Sequence, residues 1–190
     1  MNVCVYCGSR NGTDPVFEVA ARAVGVAIAE RGWNLIYGGG NIGLMGILAR
    51  TALEYGAHVT GIIPNFLATK ESALEDCSEL IEVESMHIRK ALMIERADLL
   101  IALPGGFGTL DELFEALTWR QIRLHAIPLG LLNVAGYYDP LIEMINRMHS
   151  DGFVQDRHVS LLHVSTDVNE LLDTLALITT SQFGDHLDLT

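Results

Sequence analysis

Hydrophobic and polar positions follow two rhythms along this chain. Short apolar runs fall at 2–7, 33–37, 57–63, 79–84, 98–103, 127–132 and 161–165. Some are unbroken, as in Leu99-Leu100-Ile101-Ala102-Leu103, which predicts a buried strand. Between them, segments near 15–31, 41–55, 86–97, 109–123, 138–150 and 167–179 read as helices. Strands alternating with helices predict right-handed βαβ units, hence an α/β fold with a parallel sheet of about seven strands and helices on both faces. No linker, repeat or low-complexity stretch interrupts the pattern, so one domain is expected over 1–180, followed by a tail at 181–190.

In such sheets, ligands bind beyond the carboxyl ends of the strands. Three small-residue turns fall there. Gly8-Ser9-Arg10 follows the first strand, Gly38-Gly39-Gly40-Asn41-Ile42-Gly43 the second, and Pro104-Gly105-Gly106-Phe107-Gly108-Thr109 the fifth. A glycine-rich turn between strand and helix presents backbone N–H groups at the positive end of a helix and can cradle phosphate. Gly8, Ser9, Gly39 and Gly40 are therefore phosphate-loop candidates alongside the third turn. Gly38 to Gly43 satisfies G-x-G-x-x-G, but on the second strand and without the acidic residue about 20 positions on that a dinucleotide site requires. A mononucleotide phosphate is the better fit; tight helix–sheet packing is the alternative reading of the glycines. The third turn lacks the Gly-Lys-Ser/Thr of a Walker loop.

The third turn runs directly into Asp111 and Glu112, expected in the first turn of the next helix. A carboxylate beside a phosphate cradle is repelled by its ligand, so it needs a reason. Favouring the helix dipole explains Asp111. Glu112 has another candidate reason in Arg89 and Lys90, which open the helix after the fourth strand in Met86-His87-Ile88-Arg89-Lys90. Cations there oppose the dipole, and arginine binds phosphate or carboxylate bidentately. Arg89 is thus placed to offset both an anionic ligand and Glu112.

Composition narrows the classes. The 190 residues, 49% hydrophobic and 19% charged, suit a globular domain. The net charge of −12 opposes a broad nucleic-acid or anionic-membrane surface. No signal peptide or run of 18 apolar residues is evident, and three cysteines fit a reducing compartment, so a cytoplasmic protein is expected. Cys4 and Cys7 have C-x-x-C spacing, but positions three apart on a strand point to opposite faces. The seven histidines lack metal-site spacing, and no Gly-x-Ser-x-Gly elbow is present. Neither metal nor cofactor is expected. A pyridoxal-phosphate decarboxylase would need a Schiff-base lysine, and only Lys70 and Lys90 exist. A non-catalytic nucleotide sensor could use the same loops, but gains nothing from Glu112.

Together, Gly8-Ser9, the Gly38–Gly40 triplet with Asn41-Ile42-Gly43-Leu44-Met45-Gly46, Met86-x-x-Arg89-Lys90 and Pro104-Gly-Gly-x-Gly-Thr-x-x-Glu112 resemble the LONELY GUY (LOG) family. These are cytokinin riboside 5′-monophosphate phosphoribohydrolases, long labelled lysine decarboxylases. The resemblance spans residue 2 to about 180. It implies a Rossmann-like three-layer sandwich, a homodimer with the active site near its interface, and hydrolysis of the N-glycosidic bond of a nucleoside 5′-monophosphate. By position it implies Arg89 and Glu112 as the catalytic pair, and Glu71, Lys90, Gly106, Phe107, Gly108, Thr109 and Thr118 as substrate contacts. Arg10 replaces a serine frequent after Gly-Ser in plant members. Bacterial-type members often act on AMP, so the base, adenine or prenylated adenine, stays open.

Overall fold

The computed structural model describes residues 1–68, 74 and 76–184. Seven strands form one parallel sheet: β1 (Asn2–Tyr6), β2 (Asn34–Tyr37), β3 (Val59–Pro64), β4 (Glu79–Val83), β5 (Leu99–Ala102), β6 (Leu129–Leu132) and β7 (Leu162–Ser165). Their order is β4-β3-β2-β1-β5-β6-β7. The register couples Val5 of β1 to Tyr37 on one side and Ile101 on the other. The apolar runs foretell the burial. Central β3, β5 and β6 are buried throughout, whereas edge strands β4 and β7 are largely half-buried.

Strand alternation separates two cores. Val3, Val5 and Cys7 face one side, where they pack with α1 (Val16–Glu30), α2 (Gly43–Glu54) and α8 (Val168–Gly184). Cys4 and Tyr6 face the other, against α4 (Met86–Glu95), α5 (Phe107–Gln121) and Tyr138 at the head of α6 (Asp139–Ser150). The result is the expected helix–sheet–helix sandwich. Cys4 and Cys7 belong to opposite cores, and burial raises both thiols far above their ordinary range. They are packing groups, not a redox pair.

Three short elements escape the hydrophobic pattern: α3 (Asn65–Ala68), a 3₁₀ turn at Val134–Gly136 and α7 (Asp156–Val159). Each is too short to show a helical period. The last helix runs past residue 180 to Gly184. A further difference matters for chemistry. Gly106 is the extended residue before α5, so the helix starts at Phe107 rather than near 109. Asp111 and Glu112 are then its fifth and sixth residues, in the second turn and not the first.

The chain winds outward from β1 to β4, then returns to place β5 on the other side of β1. The carboxyl ends of β1 and β5 therefore border a topological switch point, where an open α/β sheet leaves a crevice.

Candidate active site

The loops after β1 and β5 meet at this crevice. The Gly8 N–H donates to the Pro104 carbonyl at 3.1 Å, and Met45 N–H at the start of α2 donates to the Gly8 carbonyl at 3.3 Å. A Cβ on Gly105 would fall 2.0 Å from Thr109 Oγ1 and 2.9 Å from Gly8 N, so only glycine permits this closeness. Gly106 and Gly108 are different: a Cβ there meets nothing within 4 Å. No side chain caps α5. Its leading N–H groups thus remain available to an anion, and the dipole favours one. A cavity of about 340 Å³ opens beside this cradle, lined by Gly8, Ser9, Arg10, Phe17, Gly106 and Tyr137 among others. Its volume lies within the range of small-ligand sites.

Two tyrosines that the sequence reading missed hold the cradle. Tyr137 Oη donates to the Gly105 carbonyl, and Tyr138 Oη to the Leu103 carbonyl, both at 2.6 Å. Asn133 fixes their approach, its Oδ1 accepting from Tyr138 N–H while its Nδ2 donates to Asp139. The available signal was position: Asn133 to Tyr138 follow β6 at the ligand edge.

Arg89 and Glu112 come together as the motifs suggested. Their closest N···O distance is 3.2 Å, and each residue is 7% exposed. Ser85 caps α4 by accepting from Ile88 N–H, which sets Arg89 on the inner face. The guanidinium is anchored from behind: Nε donates to the Ile62 carbonyl at 3.0 Å and Nη2 to the Gly38 carbonyl at 3.2 Å. A Cβ on Gly38 would lie 1.9 Å from Nη2, so the first glycine of the triplet exists to admit Arg89. Burial raises the Glu112 carboxyl to about 6, with Arg89 pulling the other way. A carboxyl poised near neutrality and held by one arginine is suited to acid–base or charge-stabilising work. Glu112 lies six residues beyond Gly106, about 9 Å along the helix axis. It shares the buried face of α5 with Thr109. The repulsion inferred from sequence is relieved by this separation and by Arg89.

The other candidates divide. Gly8, Ser9 and Gly106 line the cavity. Gly108 and Phe107 stand exposed at the helix start, Phe107 at 94%. Gly39 and Gly40 are buried, and Gly39 turns with φ +77° against Ile63 while its carbonyl accepts from Leu74 N–H. Neither lines the cavity. Lys90 Nζ donates to Asp111 at 2.9 Å and Glu115 at 2.6 Å. These bonds outweigh burial and raise its pKa. A lysine so protonated is a poor Schiff-base former, which counts against a decarboxylase built on it. Thr118 is exposed in a shallow groove with Phe107, Leu110, Phe114 and Trp119, away from Glu112. Glu71 and Lys70 lie outside the described residues. Among the described residues, no three His, Cys, Asp or Glu side chains are placed to hold a metal. No helix among them is long and apolar enough to cross a membrane.

Comparison with known proteins follows the same lines. The family described as "Possible lysine decarboxylase" matches residues 45–175. A cytokinin riboside 5′-monophosphate phosphoribohydrolase from Arabidopsis thaliana is 42% identical over 173 residues, covering 91% of this chain and 81% of that protein. One from Oryza sativa subsp. japonica is 47% identical over 154 residues, covering 81% of this chain and 64% of its own length. Among solved structures, the Moco carrier protein from Chlamydomonas reinhardtii has a TM-score of 0.72 at 22% identity, covering 95% of this chain and 98% of that one, a likeness of fold.

Proposed function

This chain belongs to the LOG family of phosphoribohydrolases, the family described as possible lysine decarboxylases, and from that membership we propose that it hydrolyses the N-glycosidic bond of a nucleoside 5′-monophosphate. The products are a free base and ribose 5-phosphate. The observation that carries the reading is the buried Arg89–Glu112 pair set one helical segment behind an uncapped, glycine-lined helix start.

In this mechanism the N–H groups at the start of α5, from Gly106 to Thr109, hold the 5′-phosphate. The ribose then lies toward Glu112. Cleavage of the bond between C1′ and the base nitrogen leaves positive charge on the sugar, and a carboxylate stabilises that charge. Glu112 does so in its ionised form, and its pKa near 6 also suits it to take a proton from the attacking water. Oxygen from water bonds to C1′, and the departing base ends with the proton. Arg89, fixed by two backbone carbonyls, keeps Glu112 in place and favours its charge.

A second copy of the chain completes the site in this reading. The outward face of α5 exposes Phe107, with Ile122 just beyond its end at 59% and the shallow groove at Leu110, Phe114 and Trp119 between. Such a stripe is costly to leave in water and suits a subunit interface. It is also where Thr118 stands, so Thr118 acts across the interface rather than within its own subunit. Sedimentation should give a dimer, weakened by Phe107→Glu; a monomer at all concentrations would remove this part of the proposal.

The activity is tested by incubating the protein with AMP, isopentenyladenosine monophosphate and the other nucleoside monophosphates and separating the products. Equimolar free base and ribose 5-phosphate are expected. Nucleotide binding by calorimetry without base release would instead support a sensor that uses the same loops.

A further inference from the structure

At the end of α5 away from the phosphate cradle lies a second cleft with the opposite electrostatic character to the rest of the chain. It measures about 580 Å³ and is lined by Arg120, Arg123, His125, Arg157 and His158 with Gln121, Ala126 and Leu161. No carboxylate lines it, in a chain with 24 acidic and 12 basic residues. Arg31, Arg89, Arg96 and Arg147 pair with carboxylates. Among the described residues, Arg120, Arg123 and Arg157 have no carboxylate partner, and unlike Arg10, Arg22 and Arg50, which also have none, they line one cleft together.

The helix dipole accounts for part of this. Arg120 occupies the last turn of α5, and Arg157 and His158 that of α7, where cations are favoured. It does not account for their convergence on one cleft. Arg120 is half-buried, with one donor held by the Leu161 carbonyl at 2.8 Å, so most of its fork has no acceptor among the described residues. A charge taken partly out of water without a counter-charge is costly. Its field reaches two neighbouring histidines: His163 and His125 are both depressed by burial first, with Arg120 adding to the effect in each. Arg123 sits at φ +65°, a conformation uncommon outside glycine, in the segment between α5 and β6.

We propose that this cleft binds a small phosphate-bearing anion through Arg120, Arg123 and Arg157, at a site separate from the active site. Guanidinium forks match phosphoryl oxygens bidentately, and three of them suit a ligand carrying two or more negative charges. The cleft volume lies in the range of small-ligand sites. The cleft adjoins the segments leading into β6 and β7, at the amino ends of those strands. The α5 helix of 15 residues separates the two sites by roughly 20 Å.

Inorganic pyrophosphate is the probe, measured by isothermal titration into the full-length chain. The active-site cradle also attracts anions, so the background is Gly108→Asp. This places a carboxylate at that helix start where a Cβ meets nothing within 4 Å. In this background, saturable pyrophosphate binding should persist. Adding Arg123→Asn with Arg157→Ala should weaken it about 10- to 100-fold; asparagine tolerates the left-handed backbone at 123. Lysine at both positions should restore part of the affinity by charge alone. The proposal is overturned if Gly108→Asp by itself abolishes pyrophosphate binding, or if the double variant binds as its parent does. It is equally overturned if the double variant changes the sedimentation coefficient at fixed salt, because the arginines would then serve a subunit contact.

Discussion

Arg89 and Lys90 are neighbours on one helix, yet they enter different environments. Arg89 turns inward, where two carbonyls and Glu112 surround it. Lys90 reaches across to Asp111 and Glu115, whose side chains are 59% and 22% exposed. Both connect α4 to α5. The inner pair holds a carboxyl whose pKa is shifted into the working range; the outer trio is a clasp in partial contact with water. The difference teaches that adjacent cations in one motif need not share a task. What separates them is burial of the partner acid, since charge pairing in high dielectric stabilises little.

The strongest way to break this comparison is Arg89→Ala. It leaves Glu112 buried without its counter-charge, a change that typically costs about 3–5 kcal/mol. Urea unfolding at pH 7 should show that loss, and base release should fall beyond detection. Arg89→Lys should recover part of the stability but little activity, because one ammonium cannot meet Ile62, Gly38 and Glu112 at once. Wild-type stability measured from pH 4 to pH 8 gives the sign of the Glu112 shift. Its folded pKa is raised from 4.5 to about 6, so the folded state binds the extra proton in that window. Glu112 then contributes stability below about pH 4.5 that is lost as pH rises through 6, on the order of 2 kcal/mol. The difference between wild type and Glu112→Gln across this range isolates it.

A middle-sized effect is the pH profile. If the ionised carboxylate reacts, kcat/KM should rise about tenfold per pH unit below 6 and level above it. A profile flat from pH 5 to 8 would mean that Glu112 does not titrate in the reaction. The smallest effect is expected from Lys90→Ala: about 1 kcal/mol or less of stability, with kcat changed by far less than in Arg89→Ala. Loss of kcat as large as that of Arg89→Ala would erase the distinction and make Lys90 a substrate group.

Much of the fold could be read from the chain because parallel strands covered on both faces leave unbroken apolar runs, as at Leu99 to Leu103 and Ile62-Ile63. The site was legible in its glycines and its charges. It was less so in two respects. Helix α5 starts at Phe107 because Gly106 is extended, and no side-chain cap marks that boundary in the sequence. The anchors of Arg89 are carbonyls of Ile62 and Gly38, backbone groups that carry no residue signature. Tyr137 and Tyr138 were hidden for the related reason that they brace carbonyls of a loop more than thirty residues earlier.

The central claim is that Glu112, held by Arg89, is the reacting carboxylate of a nucleotide N-glycosidase. The direct measurement is release of free base from AMP and isopentenyladenosine monophosphate by wild type and Glu112→Gln under single-turnover conditions, with nucleotide affinity measured alongside. The account predicts a rate lower by about 10²- to 10⁴-fold in the variant, with binding retained. Full turnover by Glu112→Gln would contradict it.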